Sequence, residues 1–215
     1  MNSPNLIRIM LVDDHAVVRA GIKRLLEQDA HFSIVAEAES GERAYQLFGE
    51  YLPDITIMDL SMPGMGGFEA INRIVMRYPT AKLLVLSMHE NTAFAHQAIK
   101  AGAKGYLTKN GLAEELVNAL LEISNGQSFI SASMIKKINL ETQNNEKNPT
   151  LCLSTREFEI FRMLAEGVDS NLIATQLHIS IKTVANYQTN IKHKLDITNS
   201  TEMVRLAIRH KVIEG

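Results

Sequence analysis

Asp13-Asp14, Asp59, Ser87 and Lys109 each stand at or just beyond the end of a short apolar run, and together they supply three carboxylates, a hydroxyl and an ammonium. If those runs are parallel strands of one sheet, the five side chains meet at one edge. Ligands of an open parallel sheet sit beyond the carboxyl ends of its strands, at the switch point of the winding order. Three acids within a few ångströms repel one another unless a hard cation neutralises them, and oxygen-only ligation at an open site suits octahedral Mg²⁺ that keeps part of its water. One carboxylate can then attack a phosphoryl group, giving an aspartyl phosphate, while the cation, Lys109 and Ser87 bind the transferred oxygens. Taken alone, Asp13-Asp14 reads equally well as an N-cap pair; Asp59 and Lys109 tip the reading towards chemistry.

The elements that must position these residues are legible as an alternation of short β-branched or Leu-rich runs with longer amphipathic stretches. The runs are Leu6 to Val12, Ser33 to Ala38, Asp54 to Asp59, Lys82 to Ser87 and Lys104 to Thr108. Each is short and apolar enough to be a strand buried on both faces. Helical spacing fills His15 to Gln28, Gly67 to Arg77, Thr92 to Ala101 and Leu112 to Ile123. Five β/α repeats therefore close a first domain over residues 1–125. Residues 126–150 are expected to hold a short helix, Ser131 to Ile138, and a flexible linker, because apolar residues nearly vanish from Asn139 to Thr150.

Residues 151–215 carry no strand signal and read as four capped helices. Ser154-Thr155-Arg156-Glu157 is a capping box for a helix that stops at Gly167. A second helix spans about Asn171 to Leu177, Ser180 caps a third through Leu195, and Asn199 opens a fourth through about His210. The second and third, turning through His178-Ile179-Ser180, have helix-turn-helix spacing. Leu172, Ile173, Leu177, Ile179, Val184, Ile191 and Leu195 are expected to form one core with Phe158, Phe161 and Leu164. From Ile181 to Lys194 the third helix has lysines and polar residues and no acid, a surface suited to a major groove.

The chain has 22 Lys+Arg against 24 Asp+Glu, which excludes a polycation and an acidic disordered tail. One cysteine, Cys152, excludes an intramolecular disulfide or a Cys-rich zinc site and is expected to be an inert buried thiol. No basic leader and no run of 18 apolar residues is present, so a cytoplasmic protein without a membrane is expected. His15, His89 and His96 lack metal-ligand spacing and are expected to face solvent, with His89 placed to tune phosphoryl lifetime. Met58, Met62, Met65 and Met88 are expected to pack.

Asp13-Asp14, Asp59 within DLSMPGMGG, Ser87, and Lys109 after GAKGYLT resemble the receiver domain of two-component response regulators. The stretch LSTREFEIFRMLAEGVDSNLIATQLHISIKTVANYQTNIKHKL resembles the LuxR-type helix-turn-helix. The whole chain is thus similar to NarL/FixJ-type transcription regulators, and Tyr187, SMPGMGG and LAIRH resemble the subgroup of GacA and UvrY. The resemblance implies a flavodoxin-like, doubly wound (βα)5 receiver followed by a small all-α helix-turn-helix domain. It implies Asp59 as phosphoacceptor, Asp14, Asp59 and the Ser61 backbone carbonyl as direct Mg²⁺ ligands with Asp13 acting mainly through metal-bound water, and Ser87 with Tyr106 as a switch pair in which Tyr106 turns inward on phosphorylation. Candidate DNA contacts are Lys182, Thr183, Asn186, Tyr187, Asn190 and Lys194. Implied partners are a sensor histidine kinase or phosphotransfer protein, promoter duplex DNA, and a second copy after phosphorylation; the fourth helix, with Val204, Leu206, Ala207 and Ile208, either pairs two chains as in the family or finishes the core of its own domain. Two departures are Asn110, where many receivers have proline, and Thr183-Val184-Ala185-Asn186-Tyr187, which lacks a lysine and a histidine found in many relatives.

The function expected is a transcription regulator rather than an enzyme, its recognition helix occluded by the receiver until Asp59 is phosphorylated. The alternative is a helical module that binds protein, motivated by an output segment of only plus 1 net charge. A phosphatase of the haloacid dehalogenase type ranks last, since Ser61 stands where an acid is needed two residues after the nucleophile.

Overall fold

The computed structural model describes residues 6–143 and 148–213. Strands β1 (Ile7–Val12), β2 (Phe32–Ala38), β3 (Ile55–Met58), β4 (Leu83–Ser87), β5 (Gly105–Thr108) and β6 (Phe129–Ile130) form one parallel sheet in the order β2-β1-β3-β4-β5-β6. The expected five strands are present, and β6 is an addition: a two-residue strand is too short to register as a period. Alternate residues of β1 serve opposite faces, Ile9 and Leu11 packing with Ile22, Leu26, Leu116 and Leu120, Met10 and Val12 packing with Leu47, Phe48, Ile71 and Ile74. Helices α1 (Ala16–Leu26) and α5 (Leu112–Ser124) thereby cover one face. Helices α2 (Gly41–Tyr51), α3 (Gly66–Arg77) and α4 (Thr92–Ala101) cover the other.

Helix α6 (Ala132–Gln143) continues through the first five residues of the stretch read as linker. Met134, fully buried, and Ile138 anchor it to the core. The rest of that stretch includes residues 144–147, which lie outside the described residues, and a 3-10 turn over Pro149–Cys152. Cys152 is exposed, against expectation, because the turn directs Leu153 rather than its neighbour inward.

The output domain comprises α7 (Thr155–Ala165), α8 (Ser170–Gln176), α9 (Ile181–Leu195) and α10 (Ser200–Arg209). Ser154 and Glu157 close the expected capping box on α7, and Ser180 caps α9 by accepting from the Thr183 N–H at 3.0 Å. Leu172 departs from its expected core role and is 49% exposed, as the short α8 turns Ile173 and Ala174 inward instead.

The core of the α2–α4 face runs without a break into the output domain. Phe158 of α7 is fully buried and meets Phe94 at 5.2 Å and Phe68 at 6.1 Å between ring centroids, edge-on to both. Around this contact Gln97 Nε2 and Lys100 Nζ donate to the Leu153 carbonyl at 3.1 and 2.8 Å. Asn91 Nδ2, at the N-cap of α4, donates to the carbonyl of His210 just past α10. The receiver thus holds α7 and the end of α10. It does not cover the recognition helix: Lys182, Asn186 and Asn190 on α9 are exposed, so the occlusion expected from sequence is not the contact the fold makes.

Candidate functional site

Parallel pairing of β1 with β3, Val12 opposite Met58, sets Asp13 and Asp59 one strand spacing apart, about 4.8 Å. Backbone bonds fix both ends: the Asp59 N–H donates to Val12 O at 2.9 Å and the Asp13 N–H to Ala38 O at 3.1 Å. Because the winding reverses between β1 and β3, their carboxyl ends open into a crevice rather than under a crossing connection. Lys109, just after β5, reaches back across β4 and places Nζ 2.8 Å from Asp13 Oδ2 and 3.1 Å from Asp59 Oδ2. Three of the expected residues therefore meet directly, with side chains 4%, 3% and 10% exposed for Asp13, Asp59 and Lys109.

Burial pushes the Asp59 carboxyl above the ordinary carboxylate range, Lys109 pulling it down and the Asp13 charge pushing it up. Burial works against the Lys109 ammonium, yet hydrogen bonds and charge from Asp13 and Asp59 raise its pKa above the usual lysine value. Asp59 Oδ1 accepts from the Leu60 N–H at 2.8 Å, leaving Oδ2 towards Lys109.

Asp14 completes the cluster at the rim, with a side chain 27% exposed. Its Oδ1 is buried and faces His15 Nδ1 at 2.9 Å without hydrogen-bond alignment, so it has no hydrogen-bond partner. Carboxylate oxygens of Asp13, Asp14 and Asp59 and a nitrogen of His15 lie within 4.8 Å of one another. An orphaned buried oxygen beside two further carboxylates fits a small hard cation. His15, otherwise exposed as expected, is drawn to this rim; its adjacency to Asp13-Asp14 was the available signal.

Ser87 lies between Asp59 and Tyr106 in the sheet order and is fully buried; its Oγ accepts from the His89 N–H at 3.2 Å. Tyr106 is also fully buried, bonded to Ser87 and donating from its hydroxyl to the His89 carbonyl at 2.7 Å. Burial raises its pKa first, so the phenol stays protonated at neutral pH. The ring already occupies the inward place that the resemblance assigned to its moved state. His89 does not face solvent as expected. Its ring stacks on Phe94 with centroids 3.8 Å apart, and Nε2 lies 3.2 Å from Ser61 Oγ. Burial, then the Arg162 and Lys109 charges, lower its pKa to about 4, so the ring is neutral at pH 7. Met58, Met62 and Met65 pack as expected, while Met88 projects into solvent at 62% exposure, where the chain leaves β4.

On α9, Lys182, Asn186 and Asn190 follow a four-residue spacing and form one exposed stripe. The other three candidates carry structural duties. Thr183 Oγ1 bonds Ser180 Oγ at 2.8 Å, Tyr187 packs on the core, and Lys194 Nζ pairs with Glu157 Oε2 at 2.7 Å. Burial acts to raise the Glu157 pKa, but Lys194 and the Ser154 N–H hold it below the ordinary value.

The cluster has a consequence for stability. A carboxyl whose folded pKa is raised binds its proton more tightly when folded, so stability falls as pH rises from about 3.8 through that folded pKa. Asp59→Asn removes this loss. In EDTA it is expected to be more stable than the wild type at pH 7, with no gain at pH below 4, and to weaken the stabilisation that Mg²⁺ gives the wild type. Thermal melts across pH with and without Mg²⁺ check this; an Asn variant less stable than wild type at pH 7 contradicts it.

Residues 9–121 match the family description "Response regulator receiver domain", and residues 151–207 match "Bacterial regulatory proteins, luxR family". The response regulator UvrY of Escherichia coli (strain K12) is 37% identical over 207 residues, 95% of each chain. The oxygen regulatory protein NreC of Staphylococcus carnosus (strain TM300) is 35% identical over 216 residues, 97% of this chain and all of that one. Among solved structures, RcsB from Salmonella enterica serovar Typhimurium, bound to promoter rprA with the phosphomimetic BeF3-, superposes with a TM-score of 0.74. Its identity is 25%, over 94% of this chain and 98% of that one.

Proposed function

The chain belongs to the response regulators that join a receiver domain to a LuxR-type DNA-binding domain, and from that premise we propose that phosphorylation of Asp59 controls its pairing on promoter DNA. The observation that carries this reading is the Asp59 carboxylate, buried at the switch point with Lys109 Nζ 3.1 Å from one oxygen and two further acids beside it. Asp59 Oδ2 attacks the phosphorus of a phosphohistidine or an acyl phosphate, the donor's bond to phosphorus breaks, and the donor leaves with that electron pair. Lys109 shifts from the carboxylates to the incoming phosphoryl oxygens, and the Ser87 hydroxyl donates to one of them. Asp14, Asp59 and the Ser61 carbonyl would hold Mg²⁺ directly, with Asp13 acting mainly through a metal-bound water, and the ion would supply the charge that lets an anion approach three carboxylates. The receiver domain, with β6 in its sheet, extends past the expected boundary at 125 to at least residue 130, and the output domain begins near residue 151.

The regulated step is release of α7 and α10 from the α3/α4 face, not uncovering of α9. Freed α10 pairs two chains, and two exposed stripes of Lys182, Asn186 and Asn190 then address the half-sites of an inverted repeat. The cognate partner upstream is a sensor histidine kinase or phosphotransfer protein. Among the described residues no helix is long and apolar enough to cross a membrane; we place the protein in the cytoplasm.

A binding series over random duplexes, across salt, with and without acetyl phosphate, tests both halves. The wild type is expected to enrich an inverted repeat, with steep salt dependence and about tenfold or greater strengthening by the donor; Asp59→Ala is expected to show none of that strengthening. Absence of duplex binding in every condition overturns the DNA reading and leaves a protein-binding output.

A further inference from the structure

We propose that His89 is the positioning residue that couples the Asp59 site to the docking of the output domain, its main chain tied to Ser87 and Tyr106 and its ring stacked on the aromatic cluster that holds Phe158. This deepens the reading above and rests on it, taking Asp59 as phosphoacceptor and release of α7 as the regulated step.

Every contact needed is short. The His89 N–H donates to Ser87 Oγ at 3.2 Å and its carbonyl accepts from the Tyr106 hydroxyl at 2.7 Å, so both ends of one residue answer to the expected switch pair. Its ring lies 3.8 Å from the Phe94 ring and 13° from parallel. Phe94, 1% exposed, meets Phe158 edge-on at 5.2 Å. From Ser87 to the output domain there are thus only three links, through His89, Phe94 and Phe158. A second route runs from Leu60, whose carbonyl accepts from the Gly67 N–H at 3.1 Å, along α3 to Phe68, which meets Phe158 at 6.1 Å, but it contains neither Ser87 nor Tyr106.

A hydroxyl cannot direct the same lone pairs and proton to a phosphoryl oxygen without altering what it offers elsewhere. When Ser87 turns to such an oxygen, the His89 N–H loses its acceptor, and the turn carrying His89 takes another arrangement. The His89 and Phe94 rings lie nearly face to face at 3.8 Å, so a shift of the turn that carries His89 moves the ring packed on Phe94 and appears there as a changed seat for Phe158. The two discrete arrangements that coupling requires are the stacked and unstacked His89.

The test uses the full chain in a Cys152→Ser background, spin-labelled at Arg24→Cys and Arg205→Cys, two exposed positions on the two domains. The ratio of open to docked molecules is read from interlabel distances, with and without Mg²⁺ and beryllium fluoride, and loading of the site is followed by fluorine NMR. Loading is expected to raise the ratio about tenfold in the wild type and less than about twofold in His89→Ala. His89→Phe, which keeps a ring on Phe94, is expected to return the response to within about twofold of wild type. A merely structural role would shift the ratio equally with and without beryllium fluoride. An unchanged tenfold response in His89→Ala overturns the coupling, as does a His89→Phe response as low as that of alanine, or failure of His89→Ala to load. A loaded wild type that does not open overturns the regulated step itself, and the coupling with it.

Discussion

Gly67→Ala is expected to unfold the receiver domain. A Cβ at position 67 would lie 2.1 Å from the Asp59 carbonyl oxygen and 2.7 Å from Leu60 Cα, and both are backbone atoms that no side-chain rotation can move aside. Helix α3 cannot back away, because the Gly67 N–H donates to Leu60 O at 3.1 Å and its next turn buries Ala70 and Ile71. The strand end that carries Asp59 has to shift instead. The expected cost is at least about 4 kcal/mol, most of the stability of an ordinary domain. Gly21, in α1 with nothing within 4 Å of its would-be Cβ, is the control. Alanine there is expected to stabilise by about 0.5–1 kcal/mol, the ordinary helix effect. Urea unfolding followed by circular dichroism separates the two; equal behaviour of the two variants would show that α3 can slide.

Phe158→Ala is expected to separate the domains. Its ring is fully buried between Phe68 and Phe94, and truncation of a buried phenylalanine costs about 3–5 kcal/mol. Part of that falls on the output domain itself, so Phe158→Leu, which keeps apolar volume but loses both edge-on ring contacts, accompanies it. If even half of the cost falls on docking, the open population rises by about an order of magnitude or more. Small-angle scattering should then show an extended particle without any phosphoryl donor, and addition of the donor should extend it little further. Since α9 is exposed in the docked form, duplex contact by a single chain should change little, while binding to a two-half-site duplex should become independent of the donor. A compact Phe158→Ala particle would mean that the remaining contacts, among them the hydrogen bonds of Gln97, Lys100 and Asn91, hold the interface without the Phe158 ring.

The site was legible because its residues lie at strand ends, and strand ends are marked by where an apolar run stops. Asp13 and Asp59 follow β1 and β3 directly, so reading the runs also read the cluster. His89 was read as solvent-facing and Phe158 as core of its own domain. The first reading fails and the second is incomplete for one reason: Phe158 packs with Phe161, Val184 and Ile191 of its own domain as expected, but it and His89 also lie against an element from a different part of the chain. Gln97, fully buried in the Ala-rich α4, gave no signal of its own, because helical period reports which face is covered and not what covers it.

The sequence by itself determined the five principal strands, the caps of the output helices, the acidic site and the helix-turn-helix. These follow from local period, caps and turn residues acting within a few positions. Only the tertiary structure decided that the receiver grips α7 and α10 instead of covering α9, that β6 extends the sheet, and that His89 lies against the docking interface. Docking depends on which exposed apolar groups match across two independently folded surfaces, and no periodicity within either surface encodes that match.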